Sequence, residues 1–490
     1  MLDIYKKELK SRGMFTEEVY PLLDTIASSV PNDKIPKRMK LLLGITELTL
    51  IASHLRKHIL HWNNSIIPIN TISFSFAKSG AGKDSAVNAI RKGFRKGYTA
   101  IELARKNEAK KKAIELARLE GEANYAEWSV YKDYYTPPAP LFIAAGTAQG
   151  FMQHLNDIEE NPIGAGYFYD GEFSTTLQNS GNITEVLKLL AEVYDEGSKE
   201  AERIKNREGQ LKAVIKLPVS ALLVSSADNI LYDENNKNKF KLEFSSKLAR
   251  RSIFFYTPYD EPKKQYKSAT EALNAELAME DKAIKSKEII ETYVYDTISY
   301  HLESESNFIK VSKEVRELFT FYKMYNEEYA AKKIPKEFPI ATISREHMQW
   351  KTLKLSGAIA IFEGSDIIEA EHYIYASNIT EMLSEDLMLF EKELNKEEYE
   401  IFADFVHLNL DLDNSFYIDL HKLRKLGYIP KTGNPTTKLK ELIQLVSSYD
   451  PSGIYTLCEN GNGICYEKTV VRNSIFVSIK EFTDEELENL

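Results

Sequence analysis

The sequence has little cysteine: Cys458 and Cys465 are the only two in 490 residues, and no cluster of metal-ligating residue types accompanies them. A disulfide framework or a zinc ribbon is therefore not expected, and a reducing cytoplasm suits the chain best. No run reaches the roughly 18 consecutive apolar residues that a membrane-spanning helix needs. The first residues, Met1 to Gly13, are charged from the start and lack the apolar core of a signal peptide. Low-complexity tracts are missing too, and 43% hydrophobic with 28% charged residues is the balance of a globular chain. Nor is there an excess of positive charge, because the formal net charge is −10. That excludes a general nucleic-acid coat protein. It leaves room for a ring that gathers its basic residues on one inner surface.

The length predicts about two or three domains. Residues 1–66 read as a helical region, with apolar residues at helical spacing from Lys37 to Ile51. Thr71 to Phe76 alternates as a strand. A long stretch over about 99–135 is rich in Ala, Glu, Lys, Arg and Leu and reads as a helical insert ended by Pro137-Pro138. Leu141–Ala145, Gly166–Asp170, Val219–Ser226 and Ser252–Tyr256 read as further strands, with helices at Thr147–Leu155 and Ile183–Tyr194 between them. Strands that alternate with helices predict an α/β core with a parallel sheet over 67–260. Residues 261–385 read as a charged helical linker followed by helices throughout, and 386–490 as a separate small module.

The chemistry centres on Ala77-Lys-Ser-Gly-Ala-Gly-Lys-Asp-Ser85. A phosphate-binding loop reads G-x-x-x-x-G-K-[ST] between a strand and a helix. Here Ala77 replaces the first glycine and Asp84 stands where the hydroxyl residue belongs, while Gly80, Gly82 and Lys83 are in place. Small residues let successive backbone N–H groups turn inward on phosphate oxygens, and the helix that follows presents its positive end. The residues expected to line the ligand are Ser79, Gly80, Ala81, Gly82, Lys83, Asp84 and Ser85. The expected ligand is ATP with Mg2+. Lys83 would hold the β- and γ-phosphates. Ser85 would reach the metal from a shifted position, or Asp84 through water.

Such a loop needs acid at the tip of a neighbouring strand. Tyr167-Phe-Tyr-Asp-Gly-Glu172 supplies Asp170 for the magnesium side and Glu172 to polarise water. The strand ending Leu222-Leu-Val-Ser-Ser226 offers Ser225 or Ser226 to sense the γ-phosphate, with Asn229 as a neighbour. Lys247-Leu-Ala-Arg-Arg251 places two arginines just before a buried strand, where ring ATPases keep an arginine that reaches the next subunit's site.

Taken in order from about 67 to 380, these features resemble the phage and prophage P-loop ATPases described as replicative or helicase-primase-like DNA helicases. They are also distantly similar to the minichromosome maintenance helicases of the AAA+ class. The shared stretches include Pro138 to Leu155, the acid strand, the Ser-Ser strand and Leu248-Ala-Arg-Arg251. The resemblance implies an α/β P-loop NTPase core of the AAA+ or RecA-like kind, preceded by the helical region and followed by a helical lid. It makes Arg250 the better arginine-finger candidate, with Arg251 in reserve. Ser344 to Ile361 and Asp366 to Ile374 resemble the lid helices of such motors, with Arg345 as a second sensor. In the family's usual form the two acids are adjacent, whereas Gly171 separates them here.

The last module resembles a winged helix: helices at Glu397–Leu408, Ile418–Leu426 and Thr436–Ser448, then a hairpin around Glu459-Asn-Gly-Asn-Gly463. Lys422, Arg424, Lys425, Lys431, Lys438 and Lys440 are of the type that contacts phosphates, and protein docking is the other use of such a module. The expectation is an ATP-driven DNA helicase or translocase of a phage or mobile element, working in the host cytoplasm. It would be a homo-oligomer, a hexameric ring, acting on single-stranded or forked DNA beside other replication proteins. The Gly82-Lys-Asp-Ser85 ending also resembles that of certain phage nucleotide kinases, which makes a P-loop nucleotide kinase the alternative. A non-motor ATPase switch in defence or packaging is a further one.

Overall fold

The computed structural model describes residues 1–78, 80–120, 132–144, 146–179, 181–200, 202–203, 210–211, 213–231, 233–258, 266–304, 306–411, 413–426, 428–429, 434–458 and 462–469. Ser79, Lys431 and residues 121–131 of the expected insert lie outside them, as do 459–461 of the expected hairpin turn. The chain divides into two units, Met1–Leu394 and Asn395–Leu490. The main elements of the first begin with α1 (Leu2–Ser11), α2 (Pro21–Ser28), α3 (Lys37–His54), β1 (His58–Leu60), β2 (Ile66–Pro68), β3 (Ile72–Ala77) and α4 (Lys83–Leu119). Then come β4 (Ile143–Ala144), α5 (Ala148–Glu159), β5 (Gly166–Asp170), α6 (Phe173–Asn179), α7 (Asn182–Glu196), β6 (Val219–Ser226), α8 (Glu234–Glu243) and β7 (Ser252–Thr257). The unit continues with α9 (Ala269–Glu303), β8 (Phe308–Val311), α10 (Lys313–Lys333), α11 (Pro339–Glu346), α12 (Met348–Phe362), β9 (Ile367–Ile368), α13 (Ala370–Met382) and α14 (Asp386–Leu394).

The alternating strand β3 usually signals one wet face. Both of its faces are buried instead. Ile72, Phe74 and Phe76 enter one core, and Ser73 lies with its hydroxyl 2.7 Å from that of Thr46 on α3. Helix α3 is buried on nearly every side, so its Thr46, Thr49 and Ser53 hydroxyls all find acceptors in carbonyl groups one turn back. The sheet around β3 has the order β4-β5-β6-β3-β7, and every neighbouring pair is parallel. All five carboxyl ends therefore emerge at one edge, which is where open α/β sheets bind ligands.

A second sheet, β9-β8-β1-β2, was not visible in the sequence pattern. It joins residues 58–68 to 308–311 and 367–368, regions that read as helical throughout. Strands of two to four residues are too short to show a period of two against a helical background. Helix α4 also differs from expectation, because the helix after the glycine loop runs unbroken into the insert over 37 residues. Helix α14 packs Leu387, Phe390 and Leu394 into the core of the first unit. Among the described residues no helix is long and apolar enough to cross a membrane.

The second unit comprises α15 (Glu398–Leu408), β10 (Ser415–Asp419), α16 (Leu420–Lys425), α17 (Pro435–Tyr449), β11 (Gly453–Leu457) and β12 (Gly463–Lys468), with an antiparallel sheet ordered β10-β12-β11. Ile418 is in a strand rather than opening a helix. Phe416 and Ile418 turn inward while Tyr417 stays exposed, and Asp419 ends the strand by accepting the Lys422 N–H at 2.7 Å. The sequence argued against a disulfide framework, yet one local bridge joins Cys458 to Cys465, with Cα atoms 5.5 Å apart. The hairpin brings them together, since Thr456 pairs with Cys465 and the Cys458 N–H donates to Gly463.

Helices α4 and α9 cross where Gly93 and Gly97 leave room for Ile290, Val294 and Ile298. A Cβ on Gly97 would lie 2.6 Å from Val294 Cγ1. Gly97→Ala gains about 1 kcal/mol of helix propensity but overpacks a stiff β-branched neighbour at about 1–3 kcal/mol. We expect a net loss in chemical denaturation; a raised midpoint would show that the crossing relaxes.

Candidate functional site

Strand β3 ends at Ala77, and the loop reaches α4 through two left-handed glycines, Gly80 at φ +82° and Gly82 at φ +77°. Residues with a side chain rarely adopt that conformation, so both positions favour glycine. Ala81, between them, departs from its expected part in holding phosphate. Its N–H donates to the Lys78 carbonyl at 3.2 Å, closing the turn, and its half-buried methyl packs against the core of the first unit. A donor spent inside the loop is not offered to a ligand, so Ala81 shapes the loop in this arrangement rather than lining it. Gly82 is the N-cap of α4 and no side chain caps the helix, so its first N–H groups keep their polarity directed at the loop. Asp84 and Ser85 are exposed on that first turn. Lys83 is half-buried and folds back, its Nζ donating to the Lys78 carbonyl at 3.1 Å and the Ala77 carbonyl at 3.5 Å. Burial lowers the lysine below its ordinary pKa, against the opposing charges of Asp84, Glu172 and Asp228.

Two further strand ends meet this edge. Ser226 pairs with Ala77 at the end of the central strand pair. The two serines there differ in kind. Ser225 Oγ accepts the Ser174 N–H at 3.1 Å and donates to the Ser226 carbonyl, which ties α6 to the strand. Ser226 Oγ is buried and has no hydrogen-bond partner among the described residues. Asn229 is occupied with Ser174 Oγ at 3.3 Å. On the next strand Asp170 is level with Leu223, three residues short of Ser226. Its Oδ1 accepts the Glu172 N–H at 2.9 Å, and its Oδ2 is buried without a partner among the described residues. Burial raises the Asp170 carboxyl above the usual carboxylate range, with the nearby Thr176 hydroxyl and the Glu172 N–H opposing. Glu172 itself is exposed. The structure thus brings the loop from Gly80 to Ser85, Asp170, Glu172 and Ser226 to one edge.

It does not bring the three arginines there. Arg250 and Arg251 precede β7, whose first residue is level with Ile72 at the start of β3. They stand at the opposite edge, about 20 Å away at a rise of about 3.3 Å per residue. Arg250 is exposed in a recess of about 570 Å³ that Asp195, His347, Trp350 and Lys354 also line. Arg251 is buried, with its guanidinium on Asp195 and on the Lys247 carbonyl at 3.1 Å. Arg345 is buried too, 2.8 Å from Glu381 and lying over the rings of Tyr329 and Tyr325. The Glu381 charge holds its guanidinium protonated despite burial.

Two features escaped the sequence reading. Asp228 acts on Lys83, and its signal was present two residues beyond Ser226. A largely buried network joins Arg91 to Glu47 at 3.0 Å and to the Tyr167 hydroxyl at 2.6 Å, and lays the guanidinium 4.1 Å from the centre of the Tyr169 ring. No spacing could reveal it, because its members are 44 and 76 residues apart.

Two outcomes test these placements. An acid whose folded pKa is raised holds its proton more tightly in the folded chain, so ionising it costs stability as pH rises through that value. Asp170→Asn keeps the oxygen that meets Glu172 and removes the charge. It should melt above the wild type at neutral pH, with the gap closing below about pH 4; a gap independent of pH would contradict the buried carboxyl. Arg345→Ala leaves the largely buried Glu381 without its cation and should lower stability by about 3–5 kcal/mol. Unchanged urea denaturation would show Arg345 to be free of that structural role. No protein-family model matches the chain and no curated protein matches it, so the reading of this site rests on its geometry.

Proposed function

We propose that the chain is an ATP hydrolase that drives a ring-shaped DNA helicase or translocase, of the kind that serves phage or mobile-element replication. The observation that carries this reading is the juxtaposition at one sheet edge of a left-handed glycine loop, Lys83, and the acids Asp170 and Glu172. The loop and the first turn of α4 hold the triphosphate, with Lys83 swinging from the Ala77 and Lys78 carbonyls to the phosphate oxygens. The donor that suits magnesium is the buried Asp170 Oδ2, which has no partner among the described residues. Mg2+ is commonly held in that way, by one or two carboxylates with phosphates and water completing its shell. Ser85, or Asp84 through water, is the second protein ligand. When bound, the metal supplies neutralising charge to the phosphates. Glu172 orients water for attack, and the Ser226 hydroxyl donates toward the terminal phosphate.

The position of Arg250 at the opposite edge supports a site shared between chains. Arg250 cannot cross about 20 Å of sheet, but in a ring it would face a neighbour's loop, where an arginine stabilises charge on the transferring phosphate. The second unit's order of helix, strand, two helices and a hairpin supports a winged-helix reading, with Lys422 and Lys440 exposed for phosphates and Lys438 ion-paired with Glu441 at 2.6 Å.

Lys83→Ala should abolish ATP turnover, measured as phosphate release. Arg250→Ala should lower kcat by about a thousandfold while ATP still binds. Mixing the two inactive variants should restore part of the activity, because some mixed sites combine an intact Lys83 with an intact Arg250. Full turnover by Arg250→Ala would end the shared-site idea. A chain that stays monomeric with ATP and ignores single-stranded DNA would end the motor reading.

A further inference from the structure

Along α4, Asn88, Lys92, Arg95, Thr99 and Glu102 follow one another at helical spacing and line one side of a groove of about 620 Å³. Phe142, 38% exposed, lines it from the segment after the prolines. The ring is braced from behind. Tyr98 and Tyr167 meet it edge-on at 5.1 and 5.4 Å, and the Arg91 guanidinium lies 5.7 Å from its centre. Lys92 and Arg95 are exposed and, among the described residues, neither has an ion-pair partner. Three residues apart on a helix, their Cβ atoms are about 5–6 Å from each other. Glu102, the one acid on this side, sits two turns beyond Arg95 and beside Arg105 at 3.7 Å.

We infer that this groove holds single-stranded DNA, with Lys92 and Arg95 on successive phosphates and Phe142 as a stacking platform for a base. The inference rests on the DNA-motor reading and adds where the strand is held. An exposed aromatic on a rigid base beside unpaired cations is the arrangement that grips single strands irrespective of sequence. Duplex DNA keeps its bases stacked inside and would leave Phe142 without a partner. The groove is coupled to the phosphate loop by construction. Asn88 lies five residues beyond Lys83 on the same helix, about 7.5 Å along its axis. Tyr169, the residue before Asp170, lies against Arg91 at the groove's back wall.

The test measures binding of labelled oligo-thymidine to the full chain across a salt series, with oligo-uridine and duplex DNA as further arms. Lys92→Gln with Arg95→Gln should weaken binding and flatten the log–log salt dependence by about 1.4, at about 0.7 per contact. Phe142→Leu should weaken it about tenfold without changing that slope, and Phe142→Trp should restore it, which separates stacking from mere loss of packing. If the wild type binds oligo-thymidine and all groove variants bind equally well, while Lys438→Gln with Lys440→Gln does not, the strand is held by the second unit. The groove proposal then fails and the motor reading stands. Tighter binding of oligo-uridine or duplex through the same residues overturns the assignment to single-stranded DNA. If the wild type binds no oligo-thymidine, both the groove and the motor reading fall.

Discussion

The helix α4 begins at a left-handed glycine loop, and a largely buried cation near its start ties it to the sheet and to α3. Arg91 stands eight residues beyond Lys83, ion-paired with Glu47 on α3 and capped by the Tyr167 hydroxyl and the Tyr169 ring. Burial works against the charged guanidinium, yet the neighbouring Tyr167 and Glu47 groups raise it well above the ordinary arginine value. Such a pair adds little net stability, because desolvating both charges offsets their attraction. Breaking it by removing one partner costs about 3–5 kcal/mol. Its importance is therefore positional. One guanidinium fixes the loop helix, the buried helix α3 and the acid strand β5 relative to one another, and the loop and Asp170 keep their register through it.

The amino edge of the sheet is fastened in a similar manner. Lys354 on α12 is buried and donates to the Pro68 carbonyl, to Asn70 Oδ1 at 2.6 Å and to the Tyr194 carbonyl at 2.7 Å. Burial brings its pKa down to about 7. With all three ammonium hydrogens engaged, it joins α12 to the segment before β3 and to the end of α7. Arg251 and Asp195 sit beside it. The helices after residue 300 are thus anchored to the sheet at the edge away from the loop. Arg250 gains a rigid base there, although its own side chain is exposed.

How much of this was legible follows from how local each signal was. The parallel strands Gly166–Asp170 and Val219–Ser226 were read to the residue, because buried strands are continuous apolar runs bounded by turns. The loop was legible because glycine, lysine and the first helical turn are adjacent in sequence. Which of its N–H groups stay free was not: Ala81 looks like any small loop residue until the Lys78 carbonyl is seen to claim its donor. The small mixed sheet was hidden too, since strands such as Ile367–Ile368 carry no periodicity and pair with segments far off in the chain. Ser225 and Ser226 were indistinguishable in sequence. Only the Ser174 N–H, 51 residues away, makes the first structural, while the second has no side-chain partner among the described residues. The same limit applied to Arg251 and Arg345, whose acid partners Asp195 and Glu381 lie 56 and 36 residues off.

The departure at Asp84 takes on a different meaning once Lys83 is located. An acid in the first turn of a helix is favoured by the exposed N–H groups there, so Asp84 is at home electrostatically whatever the ligand. It is also one of the three acids, with Glu172 and Asp228, whose charges oppose the lowering of Lys83. A lysine desolvated by burial is useful to a phosphate only while protonated, and Asp84 helps to keep it so. The substitution that weakens the hydroxyl ligand at this position therefore strengthens the cation beside it. On the proposed reading the hydroxyl function falls to the exposed Ser85 one place on, and phosphate binding turns on the charge of Lys83 rather than on the identity of residue 84.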